Sequence, residues 1–231
     1  MPDPAPAYFF DLANFPHAPL FEGCRYVWEA LAKIRPYLSA LPLGRIEVEI
    51  PAHAYLIDAH LISIGEGTVI EPGAYIKGPC SIGKNCVIRH GAYIRGDVIA
   101  GDECVIGHDT ETKNAIFLNG AQAAHFAYVG DSILGNRVNL GAGTKCANFK
   151  LNHENVIVNI EGQLIDTGLR KFGAIIGDDT NLGCNCVSNP GTLIGQRVLG
   201  YPCVTFGGFI SSDHIIKPAH SVKIIPRRSG R

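Results

Sequence analysis

A sixfold beat between Leu61 and Ala124 constrains what this chain can fold into. Steps of six fall on Ile64, Ile70, Ile76, Ile82, Ile88, Ile94, Ala100, Ile106, Thr112, Leu118 and Ala124, and all but Thr112 are apolar. Four places after a beat stands a small or β-branched residue, as at Thr68, Ala74, Cys80, Cys86, Ala92, Val98, Cys104, Thr110 and Ile116. One place after it, Gly or a polar residue is usual, as at Gly65, Glu71, Lys77, Gly83, Arg89 and Gly107. A period of two would mark an ordinary strand and 3.6 a helix. A period of six with a Gly-rich corner means a short strand, a turn, and repetition.

Three hexads close a triangular coil of about 18 residues, whose strands pair with the next coil at roughly 4.7–4.9 Å. The expected fold is all-β, a parallel β-helix of the hexapeptide-repeat kind. That repeat class is left-handed, against the usual crossover rule. The beat runs to His125, slips by one residue around 126–133, and resumes at Leu134, Leu140 and Cys146. It breaks at Phe149 and returns at Ile176, Leu182, Ser188, Ile194, Gly200 and Phe206. The β-helix domain therefore spans 61–216, with an insert over 150–170. Inside the insert, 156–160 and 163–165 flank Glu161-Gly162 and read as a β-hairpin. Its apolar run needs a surface, expected to be a neighbouring subunit, and the hairpin is expected to serve the site and not the fold.

Residues 1–60 read as a Pro-rich arm followed by one amphipathic helix over 20–40, which Pro36 should end or kink. Trp28 lies on its apolar face as a packing anchor. A short edge strand is expected over 46–50, and a basic tail over 217–231.

Twenty Lys+Arg against 21 Asp+Glu argue against a nucleic-acid surface or a basic membrane-binding face. The start, MPDPAPAYFF, lacks the basic and apolar regions of a signal peptide, and no run reaches 18 apolar residues. Of eight cysteines, Cys80, Cys86, Cys104 and Cys186 occupy the small inward slot, and no CxxC exists. Buried free thiols imply a reducing, cytoplasmic setting.

A repeat of 18 stacks residues 18 apart, so Lys77, Arg95 and Lys113 should climb one edge about 5 Å apart. Stacked like charges repel, and an anion between them would relieve this; a solvated edge is the alternative. His125 stands where the regular coil gives way, a place where a side chain can be aimed at a ligand. The other histidines form no three-His cluster, so a zinc centre is not expected.

The stretch from His125 through Tyr128, Asn139 and Ala142 to Thr144, then Asn148-Phe149 and Arg170-Lys171-Phe-Gly-Ala-Ile-Ile-Gly-Asp-Asp, resembles a known family. This is the acetyltransferase half of the bifunctional N-acetylglucosamine-1-phosphate uridylyltransferase/glucosamine-1-phosphate acetyltransferase. The hairpin is more similar to that of related sugar-1-phosphate nucleotidylyltransferases with a fused acetyltransferase domain. The likeness runs from about Ile88 to Gly195. It implies that His125 is the catalytic base, supported by Glu111, and that Arg95 and Lys113 are sugar-phosphate cations. Tyr128, Asn139 and Lys171 fall on sugar- and phosphate-contacting positions, and Asn148 on the residue meeting the amine and acetyl donor. Ala142, Phe149 and Cys184 fall on acetyl-CoA positions. Phe149 replaces a usual tyrosine, and Cys184 an expected serine.

The resemblance implies an N-acetyltransferase that moves acetyl from acetyl-CoA to glucosamine-1-phosphate or galactosamine-1-phosphate, as a homotrimer with sites between subunits. No metal is needed for that step. The alternative is a non-catalytic sugar-phosphate or nucleotide-sugar binding subunit of a separate nucleotidylyltransferase. Nucleotidylyltransferase activity in this chain is not expected, since no Gly-rich loop opens a βαβ unit.

Overall fold

The computed structural model describes residues 4–219, so the tail expected over 217–231 lies outside the described residues from residue 220 onward. The chain is a parallel β-solenoid of about nine turns. Successive strands visit three faces in rotation. The first face begins with Tyr55–Ile57, Tyr75–Lys77 and Tyr93–Ile94. Ile62–Ile64, Cys80–Ile82 and Val98–Ala100 begin the second. Val69–Ile70, Val87–Ile88 and Val105–His108 begin the third. Alternation sends every second residue of a strand inward, and the beat residues Ile64 to Ile106 and Thr112 are buried with Cys80, Cys86 and Cys104 in one continuous core.

The register corrects the expected position of the slip. Ile94 pairs with Thr112 at the full repeat of 18, but Val98 pairs with Ala115 and Ala100 with Phe117, one residue short. The first loss therefore falls at Lys113-Asn114, and the inward residues are Phe117 and Ala123 instead of Leu118 and Ala124. Leu118 points outward, into a second cluster. Lys113 pairs with Gly130 at this shorter spacing, and a second residue is lost between Val129 and Leu134, inside the segment where a slip was expected. Both losses sit at the corner between first and second faces. There the strands Glu111–Phe117 and Tyr128–Leu134 run through unbroken, so these two faces form one sheet and the third face another. The insert leaves and rejoins the solenoid at this same corner: Phe172 N–H donates to Asn148 O at 2.9 Å, and Phe149 bridges Lys171.

The outward residues of the second face, Ile99, Ile116, Ile133, Ile175 and Leu193, are covered by the N-terminal segment. Phe9, Phe10, Phe15, Phe21, Trp28, Leu31, Ile34 and Leu38 form that layer, with Trp28 6.1 Å from the Phe172 ring. The segment is not one helix over 20–40. A 3-10 turn, Ala18–Phe21, is followed by Gly23 at φ 71°, where a left-handed backbone breaks the helical path, and the α-helix is Glu29–Ala40. It continues through Pro36. Ala32 and Pro36 are both exposed, so the carbonyl that Pro36 leaves unpaired faces water. The expected strand over 46–50 reduces to a parallel bridge of Ile46 with Ile64.

The hairpin pairs Ile157–Ile160 with Gln163–Asp166, and Glu161 and Gly162 both adopt positive φ, as a two-residue turn of the primed type requires. Its apolar side corrects the expectation of a neighbouring subunit. Val156, Val158 and Ile160 are buried in the chain's own outer layer, beside Phe172 and Leu193.

Candidate active site

Outward side chains of the first face converge at the shortened corner. Because Ile76, Ile94 and Thr112 are in register, Lys77, Arg95 and Lys113 follow one another up that edge. Carboxylates of the same chain answer two of these cations. Arg95 Nη1 lies 2.6 Å from Glu111 Oε1, and Lys113 Nζ lies 2.5 Å from Asp131 Oδ2. The Glu111 bond holds the Arg95 guanidinium above its ordinary pKa, so it stays charged. Lys77 is exposed.

Asp131 joins the remaining parts. It is 5% exposed and also accepts Asn114 Nδ2 at 3.0 Å and Asn148 Nδ2 at 2.5 Å. Asn148 Nδ2 also donates to Tyr128 OH at 3.1 Å. Burial pushes the Tyr128 phenol above the ordinary tyrosine range, against the opposing bond from Asn148. Asn114 and Asp131 take φ of 43° and 49°, a left-handed conformation that Asn and Asp tolerate best among residues with a Cβ. The corner thus gathers Arg95, Glu111, Lys113, Tyr128 and Asn148, with exposed Lys171 at the root of the hairpin. Asp131 is the member that sequence reasoning missed. The visible signal was an acidic residue at a second short corner, 17 residues after Asn114.

His125 ends the strand Gln122–His125 on the third face, at the opposite edge of the first face. Below it in the same column lie His108 and His90. His90 Nδ1 is 2.7 Å from Pro72 O and His108 Nδ1 2.9 Å from His90 O. A carbonyl only accepts, so both Nδ1 atoms carry the proton. The next carbonyl up, His108 O, is taken by the Phe126 N–H at 2.8 Å, with Phe126 at φ 52°. Among the described residues His125 makes no ring bond to a carbonyl, unlike the two histidines beneath it. Its ring meets Arg89, with Nη1 3.5 Å from Nε2, and the Phe126 ring. Gly107 borders this site, and a Cβ there would collide with the Ala124 carbonyl.

Ala142 and Cys184 continue the His125 column on later coils. Gly143 N–H donates to His125 O at 3.0 Å and Asn185 N–H to Ala142 O at 2.8 Å. Cys184 is an exposed free thiol. Asn139 stands apart on the third face, where it lines a shallow groove of about 360 Å³ with Leu199, Tyr201 and Pro202. Phe149 is exposed beside the His153 ring. Among the described residues, no hydrogen bond or ion pair joins His125 to the Asp131 cluster, and no three metal-capable side chains converge. A groove of about 540 Å³ lies far from both, between His17 and Arg45 and the glycine corners at Gly65 and Gly83. The Asp131 corner and His125 are the candidate site, because a reacting site is marked by convergent polar side chains more than by volume.

Residues 76–167 match the family described as the GMPPB C-terminal domain. The bifunctional sugar-1-phosphate nucleotidylyltransferase/acetyltransferase of Sulfurisphaera tokodaii is 40% identical over 92 residues, covering 40% of this chain and 23% of that protein. Bifunctional protein GlmU of Methanococcus vannielii is 36% identical over 96 residues, 41% of this chain and 23% of that protein. Its namesake from Methylibium petroleiphilum is 34% identical over 175 residues, 74% of this chain and 32% of that protein. The chain spans about a quarter to a third of the length of these curated relatives.

Proposed function

Because the chain is a hexapeptide-repeat β-helix domain homologous to the C-terminal parts of bifunctional nucleotidylyltransferase/acetyltransferases, we propose that it transfers acetyl from acetyl-CoA to the amine of a hexosamine-1-phosphate. The observation that carries this reading is the release of His125 from the carbonyl ladder that holds His90 and His108. His90 and His108 are pinned through Nδ1, whereas the His125 ring can turn toward a substrate, whose ammonium would displace the long 3.5 Å contact of Arg89 Nη1 with the Nε2 lone pair. Neutral histidine near pH 7 removes a proton from the sugar ammonium, and the amine then attacks the thioester carbonyl. The carbon–sulfur bond breaks and CoA leaves as the thiolate. General-base catalysis of this kind contributes about 10²–10⁴ in rate.

Arg95, Lys113 and Lys171 supply the charge that would bind and orient the phosphate, with Tyr128 and Asn148 beside them. Ala142 and Cys184, in the His125 column, border the path of the acetyl donor. A single protomer leaves His125 and the Asp131 corner unconnected, which favours a site completed by a neighbouring copy, in a homotrimer. The binding-subunit reading draws support from Phe149 and Cys184, which stand where the resemblance expects a tyrosine and a serine.

Release of free CoA from acetyl-CoA, in the presence of glucosamine-1-phosphate or galactosamine-1-phosphate, separates the two readings. Turnover that requires the amino sugar supports the enzyme. Tight sugar-phosphate binding with no thiol release would sink it.

A further inference from the structure

Asn148 has two amide hydrogens, and both are committed. One goes to Asp131 Oδ2 at 2.5 Å and the other to Tyr128 OH at 3.1 Å. A carboxylate has no hydrogen to give, so the atom of Asn148 that faces it must be nitrogen. Oδ1 is left as the free end of the side chain, and it can only accept. Asn148 in this setting can hold an amine or ammonium hydrogen but cannot donate to an oxyanion. The same carboxylate draws Lys113 Nζ to 2.5 Å and so offsets a positive charge next to the phosphate position.

We infer that Asp131 is a positioning residue for the acetyl acceptor: it turns Asn148 into an amine acceptor and tempers the attraction of Lys113 for phosphate. The placement is built into the fold. Asp131 is the left-handed residue of a corner one residue shorter than the regular turn, and its carbonyl accepts the Gly173 N–H where the chain returns from the hairpin. The inference rests on the acetyltransferase reading above for its catalytic half only; the effect on Lys113 is independent of it.

The test uses the full chain and the variants Asp131→Asn, Asn148→Ala, Asn148→Asp and the double variant Asp131→Asn/Asn148→Ala. Asparagine suits the left-handed φ at 131, so the first variant keeps the corner conformation. Asp131→Asn should lower kcat for the amino-sugar 1-phosphate by about tenfold or more while its KM falls several-fold, as the unpaired Lys113 charge binds phosphate more tightly. The double variant should turn over no more slowly than Asn148→Ala alone, since Asp131 acts through Asn148. Additive losses in the double variant would overturn the inference while leaving the enzyme reading intact.

Asn148→Asp should be slower than Asn148→Ala, because its new carboxylate would face that of Asp131. Equal or faster turnover overturns the assigned orientation without requiring any change at 131. Titration with inorganic phosphate supplies the arm that needs no turnover. Asp131→Asn should bind phosphate several-fold more tightly than the unaltered chain, and binding that is no tighter overturns the role assigned toward Lys113. A chain that releases no CoA with any amino-sugar 1-phosphate defeats the functional reading, and the phosphate titration then decides this inference by itself.

Discussion

Val158 and Ile157 are neighbours on one strand of the hairpin and face opposite ways: Val158 is 1% exposed and Ile157 41%. If the hairpin belongs to the chain's own outer layer, truncating Val158 must cost stability and truncating Ile157 must not. Val158→Ala removes two methyl groups, about 1.6 kcal/mol at 0.8 kcal/mol per buried carbon. The residual cavity adds to this, since the surrounding side chains relax only in part, for a total of about 2–3 kcal/mol. For a chain of this size each kcal/mol moves the thermal midpoint by about 2–4 °C, so Val158→Ala should melt roughly 4–12 °C lower. Ile157→Ala should stay within about 0.5 kcal/mol, or 2 °C, of the parent. Circular dichroism melts of the three proteins, at equal concentration, read both shifts. A Val158→Ala midpoint within 2 °C of the parent would refute the packing argument and return the hairpin to the role of a detachable flap.

Other outcomes follow from the same geometry. His125→Ala should lose about 10²–10⁴ in acetyl transfer yet keep its affinity for inorganic phosphate, and near-normal turnover would require a different base. Arg95→Ala removes a half-exposed ion pair and should change stability by at most about 1 kcal/mol while raising the KM for the sugar phosphate. Lys113→Ala leaves buried Asp131 without its cation and should cost about 2–4 kcal/mol in chemical denaturation; equal stability of the two variants contradicts the burial difference. Burial lowers the pKa of His17 below its ordinary 6.5, opposed by the Asp102 charge, so the folded state takes up this proton less readily than the unfolded chain. Its contribution is fully present above pH 6.5 and is lost as the pH falls from 6.5 toward the folded value. His17→Gln should therefore flatten the decline of the thermal midpoint measured from roughly pH 7.5 to 5.5, and an unchanged slope would remove His17 from the linkage.

The solenoid was legible because its period is local: each strand buries its beat residue by simple alternation, and a six-residue repeat of Ile with a small partner admits few other cores. The hairpin turn was legible for a similar reason, since Glu161-Gly162 sits between two apolar runs. Outward positions carry no such constraint in sequence. Ile99, Ile116, Ile133 and Ile175 look like ordinary strand residues, and only the tertiary structure decided that the N-terminal layer and the hairpin share the burial of that face. The early slip at Lys113-Asn114 escaped for a related reason. Leu118 and Ala124 are apolar, so the sixfold count continued across a corner where the register had already moved. Asp131 left only a faint signal, because its partners Lys113, Asn114 and Asn148 lie 17 or 18 residues away and meet it only when coils stack. The sequence by itself determined the repeat and hence the coil; the corner that gathers Arg95, Lys113, Asp131, Tyr128 and Asn148 exists only because stacking converts separation along the chain into contact across it.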